Sequence, residues 1–104
     1  MSGYNRITLV GILKEDPKSK TLGKKTRVTF PLEVERHVER EHDTFNIVAW
    51  GKLGEVCRDY LVKGKKILLD GHLQVRTVSH GETRQWITEI ITENIKFLPV
   101  PKEV

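Results

Sequence analysis

The chain is nearly devoid of cysteine: Cys57 is the single one among 104 residues. An intramolecular disulfide framework is thereby excluded, and the fold must be held by packing, as suits a reducing compartment. Aromatics are also scarce, with two Trp, two Tyr and three Phe. Any of them standing on a polar face therefore needs a reason. No apolar run approaches the ~20 residues of a membrane-spanning helix, and the opening Met1-Ser2-Gly3-Tyr4 carries no hydrophobic signal region. A soluble intracellular protein is expected.

Catalytic signatures are missing too. His37, His42, His72 and His80 invite a metal reading, but no Cys-x-x-Cys or His-Glu-x-x-His spacing accompanies them. Solvated surface histidines account for them better. No Gly-x-Ser-x-Gly or phosphate loop occurs, and Gly51-Lys52-Leu53-Gly54 lacks the glycine spacing and Lys-Ser/Thr ending of a phosphate cradle. Neither an enzyme nor a metal or cofactor site is expected. Acidic residues are outnumbered, 14 against 18 Lys and Arg, giving a net charge of +4. An anionic partner is favoured, although mild basicity alone is common in small domains. Apolar residues make up 38% and charged residues 31%. One domain spanning 1–104 can form a single thin core, which further burial against copies of itself would reinforce.

What is present is mostly alternation. Residues 5–14 place Asn5, Ile7, Leu9, Gly11 and Leu13 on one side, with Gly11 marking a bend or bulge. A basic loop follows with Lys18, Lys20, Lys24 and Lys25. Residues 26–36 then alternate, Val28, Phe30 and Leu32 facing one way, while Pro31 must turn its missing donor to an edge or an irregularity. A mixed-charge turn, 37–42, precedes a strand with Phe45, Ile47 and Ala49 inward and Thr44, Asn46, Val48 and Trp50 outward. Leu53, Val56, Cys57, Tyr60 and Leu61 then form a helical stripe, with Lys63 and Gly64 as the expected helix ending. Cys57 on that stripe reads as a small buried hydrophobe. Residues 65–77 predict another strand, with Ile67, Leu69, Gly71, Leu73 and Val75 inward. Ser79-His80-Gly81 signals a hairpin, and the last strand runs from Arg84 to Leu98 with an irregularity at Ile90-Ile91. Pro99-Val100-Pro101 is expected to end the fold.

The order β-β-β-α-β-β predicts an all-β protein, a five-stranded Greek-key OB-fold barrel with one short helix between strands 3 and 4. A six-stranded sandwich with a stray helix is the alternative. In an OB-fold, single strands lie across the second and third strands, bases stacking on aromatics while cations track phosphates. Trp50 projects from the outward face of the third strand, where it either stacks a base or else caps the barrel or packs under the helix.

Several segments carry a resemblance: Asn5-x-x-x-Leu9-Val10-Gly11-x-Leu13-x-x-Asp16-Pro17, Phe30-x-Leu32, Phe45–Glu55, Tyr60–Gly64 and Asp70-Gly71-His72-Leu73. In order and without large gaps, they resemble the bacterial and mitochondrial single-stranded DNA-binding protein family. The resemblance implies an OB-fold, homotetramers built from dimers, and sequence-independent binding of single-stranded DNA in replication, recombination and repair. It moves Trp50 towards base stacking and matches Lys52, Lys63 and Arg76 to cations that the family sets against phosphate. Arg6, Arg36, Arg84 and Trp86 complete the expected DNA-binding set, Trp86 being equally suited to the core or a subunit contact. A cytoplasmic, nucleoid setting follows for a bacterial source, with a mitochondrial one equally compatible.

The departures are Thr44, Val78 and Val38 where the family commonly has aromatics, a loop after the second strand of about six residues with Glu39, Glu41 and Asp43, and an ending at Val104 without an acidic tip. Fewer stacking platforms predict a weaker binder that leans on cations. Two other functions stay open: a primosomal replication-restart OB protein, acting as a dimer mainly through protein contacts, and an RNA-binding OB module.

Overall fold

Alternation of apolar with polar residues marks most of six strands that fold with one helix: β1 (Ile7–Leu13), β2 (Lys18–Leu22), β3 (Lys25–Glu35), β4 (His42–Trp50), α1 (Gly51–Tyr60), β5 (Lys66–His80) and β6 (Thr83–Leu98). They are seen in a computed structural model that describes residues 3–38 and 40–99. Glu39 and the segment 100–104, including the expected Val100-Pro101 ending, lie outside the described residues.

The sheet runs β1-β5-β6-β4-β3, and a further β1–β3 pairing at Ile12↔Glu33 and Leu13↔Leu32 closes it. Five strands thus form the barrel expected from the sequence, with α1 following the third of them. The sixth, β2, hangs on β3 as a hairpin partner. It corrects the expectation of a basic loop: every residue of β2 is exposed, so it has no apolar face to betray a strand. Pro31 sits where β3 passes from β2, last paired at Thr29, to β1, first paired at Leu32. This is the irregularity that its missing donor requires.

The core consists of Leu13, Val28, Phe30, Leu32, Ile47, Ala49, Ile67, Leu69 and Ile90, closed at one end by Cys57 and Leu61. The helix therefore buries a narrower stripe than its sequence suggests, because Val56 and Tyr60 are exposed. It also stops earlier. Leu61 is already extended (φ −97°, ψ 141°) so that its side chain can enter the core. Gly64 instead serves the following turn, where Lys65 N–H donates to the Val62 carbonyl at 3.1 Å.

Two further expectations shift. The outer halves of β5 and β6 run on past the barrel as a two-stranded arm, leaving Leu73 and Val75 exposed despite their inward alternation. The irregularity of β6 lies beyond Ile90-Ile91: Gly71 pairs with Thr92 and Asp70 with Asn94, so Glu93 is the extra residue.

Burial pushes the Cys57 thiol up from 9.0 to about 11. The thiolate is the reactive form, so a thiol reagent at pH 8 is expected to label the denatured chain and leave the native one unmodified. Labelling at equal rates would place Cys57 at the surface. The native state therefore loses stability in alkali. The contribution is complete below pH 9.0, where both states are protonated, and is lost as pH rises through about 11.

Candidate nucleic-acid interface

Register decides which side chains share the outward face of the barrel. Paired residues of adjacent strands point the same way, so Lys20, Arg27 and Trp50 line up across β2, β3 and β4, with Lys18 and Thr29 one step along. On β5 and β6, Gln74 pairs with Glu89 and Arg76 with Ile87, on that same outward side. Two adjoining hollows result, sharing Arg27, Arg76 and Glu89. One reaches Lys18, Asp16 and Asn46; the other reaches Lys20, Leu22 and Trp50. Together they make an open groove. Its Asp16 end is balanced in charge, with Glu15, Asp16 and Glu89 against Lys18, Arg27 and Arg76. Its Trp50 end has Lys20, Arg27 and Arg76 against Glu89 alone.

The chain must turn sharply where β4 becomes α1, and Gly51 does so at φ +63°, a value that favours glycine. The turn leaves Trp50 at the strand end, 38% exposed. The Arg27 guanidinium lies 5.8 Å from the centroid of its ring, a cation–π distance. Arg27 also reaches across β4: its Nη2 donates to Glu89 Oε2 at 2.7 Å, while Arg76 Nε donates to Glu89 Oε1 at 2.9 Å. The crossing explains why Val48, outward by alternation, is fully buried.

Of the residues expected to touch DNA, the structure brings Trp50 and Arg76 into this groove. Lys52 is exposed in the first turn of α1, two residues past Trp50. Lys63 follows the helix, its backbone N–H donating to Asp16 Oδ1 at 2.7 Å, so it stands behind one end of the groove. Arg6 lines a separate hollow with Asp70 and Glu93. Arg36 is held inside its own loop, its Nη2 on Asp43 at 3.0 Å and its Nη1 on Glu41 at 3.1 Å. The Arg36 hydrogen bond holds the Asp43 carboxyl below the usual carboxylate range. Trp86, 77% exposed, pairs with Thr77, and Arg84 with Ser79. Both point to the face of the arm that carries Ile90, opposite to Trp50.

Sequence reasoning missed Arg27 and Glu89. Arg27 reads as one cation among many, but Glu89 had a signal, a lone charge inside Trp86-Ile87-Thr88-Glu89-Ile90-Ile91. Of the histidines, His42 lies against Glu33 at 3.4 Å and His72 against Glu93 at 3.6 Å. Among the described residues no three His, Cys, Asp or Glu gather as metal ligands, and no helix is long and apolar enough to cross a membrane.

The barrel, its helix and this groove coincide with a match of residues 4–98 to the model of the single-strand binding protein family. The chain belongs to that family. Individual members agree. A single-stranded DNA-binding protein of Clostridium tetani is 39% identical over 101 residues, covering 90% of this chain and 70% of that protein. Single-stranded DNA-binding protein 2 of Staphylococcus aureus is 37% identical over 101 residues, with 90% and 73% covered. Single-stranded DNA-binding protein 1 of Clostridium acetobutylicum is 35% identical over 108 residues, with 95% and 97% covered.

Proposed function

We propose that the chain, acting as one OB-fold domain, binds single-stranded DNA without sequence preference and covers it during replication, recombination and repair. Its work is binding rather than catalysis. The supporting observation is Trp50, an exposed indole at the cationic end of an open groove, backed by Arg27 and flanked by Lys20. Bases stack on such a ring whatever their identity, and cations take the phosphates. Trp50, Arg76, Arg27, Lys18 and Lys20 form the central contact set. Lys52 and Lys63 extend it at the ends of the groove, while Arg6, Arg36, Arg84 and Trp86 are secondary.

Titrating tryptophan fluorescence with oligo(dT) and with duplex of equal length, at two salt concentrations, tests this reading. Oligo(dT) is expected to bind far more tightly and to weaken with salt, with a log–log slope of about −0.7 per phosphate neutralised. Preference for duplex, or indifference to oligo(dT) at low salt, overturns it. Arg27→Gln is expected to reduce that slope by about 0.7, one phosphate fewer; an unaltered slope removes Arg27 from the phosphate path. Competition with oligo(U) separates DNA from RNA binding.

We also propose a homo-oligomer. Val10 and Ile12 are exposed on the outward side of β1, beside Leu68 at register Val10↔Leu68. This apolar strip lies away from the groove and suits a second copy. Light scattering on the parent and on Ile12→Glu checks it: the parent runs as a dimer or tetramer and the variant falls to a smaller species. A monomeric parent overturns it.

A further inference from the structure

A carboxylate in the middle of a groove for a polyanion is at first sight misplaced. Glu89 is nonetheless 8% exposed, and both of its oxygens accept hydrogen bonds from guanidiniums: Arg27 at 2.7 Å and Arg76 at 2.9 Å. Those arginines belong to β3 and β5, with Glu89 on β6, so one side chain ties three strands across the groove. Raw attraction for DNA does not account for it, since it cancels one of two positive charges. Stability accounts for it poorly as well, because a buried ion pair adds little that apolar packing would not supply. Position does account for it. Arg27 is shared, its Nη2 on Glu89 and its guanidinium over the Trp50 ring, so holding one end fixes the other.

We propose that Glu89 is a positioning residue of the groove, its carboxylate holding Arg27 against Trp50 and Arg76 alongside before any strand arrives. The inference rests on reading the groove as the DNA site. An arginine immobilised only on binding subtracts from affinity, whereas one already held does not. Glu89 acts through the two arginines and leaves the exposed part of the indole for a base.

The test uses Glu89→Gln, neutral and of the same shape; affinity is measured in the otherwise unaltered chain, and Trp86→Phe is added only for the DNA-free quenching so that fluorescence there reports Trp50 alone. Without DNA, acrylamide is expected to quench Trp50 more strongly in the variant, because Arg27 leaves the ring. Oligo(dT) affinity is expected to fall roughly threefold to tenfold, one immobilised arginine's worth, with the salt slope preserved because both cations remain. Unchanged quenching overturns the proposal, as does affinity that is equal or higher with a steeper slope, which would make Glu89 a mere neutraliser of charge. Should Glu89→Gln fail to fold, Arg27→Lys carries the test, keeping the charge but losing the planar fork. It must show the same rise in quenching and the same loss of affinity, or the proposal falls. An unsubstituted protein that ignores oligo(dT) overturns the groove reading itself, and this inference with it; an unsubstituted protein that binds normally isolates the failure to Glu89.

Discussion

Trp50→Ala is expected to lower oligo(dT) affinity by roughly fivefold to more than a hundredfold, the ~1–3 kcal/mol of one stacked base. The loss should appear without unfolding. Trp50 sits at the end of β4 and is 38% exposed, apart from the core cluster that Ile47 and Ala49 join. Arg27 would lose the ring but keep its bond to Glu89. Trp50→Phe retains a π-face and should recover most of the affinity, which separates stacking from simple loss of bulk. An unchanged oligo(dT) titration for Trp50→Ala, at a melting temperature near the parent's, would remove the indole from the binding site.

Gly71→Ala is expected to damage the fold rather than the groove. A Cβ at Gly71 would stand 2.2 Å from the Ile91 carbonyl oxygen and 3.1 Å from its carbon. Both are backbone atoms of β6, which is paired to β5 on one side and to β4 on the other. The neighbouring Ile90 is locked in the core, so β6 has little room to yield. Overpacking of this kind costs about 3 kcal/mol or more. At about 4–8 °C per kcal/mol for a domain of this size, the melting temperature should fall by roughly 12–24 °C. A Gly71→Ala protein melting within about two degrees of the parent would show that the strands separate easily at the Glu93 bulge.

Much of the barrel was legible because its strands have two unlike faces. Val28, Phe30 and Leu32 on β3 alternate with polar neighbours, and burial follows that alternation. In β2 the signal is absent: Lys18-Ser19-Lys20-Thr21 has no buried side, and only its pairing with β3 makes it a strand. Alternation misled on Leu73 and Val75, where the period-2 pattern outlasts the barrel that gives it meaning. The helix end was misplaced because Leu61 is worth more in the core than as another helical turn. Trp50 was legible as an aromatic on a polar face. The partnership of Arg27, Arg76 and Glu89 was not, since it joins positions 27, 76 and 89 from three strands that meet only in the closed sheet.

The short connection between β3 and β4 bears on how DNA leaves. Its ends are stitched by the Arg36 N–H on the Glu41 carbonyl at 2.7 Å, and the Arg36 guanidinium clasps Asp43. These bonds tie the flanks of the connection to each other rather than to the groove. On the proposed reading, a strand in the groove is held by its stacking and phosphate contacts, and these set how readily it departs.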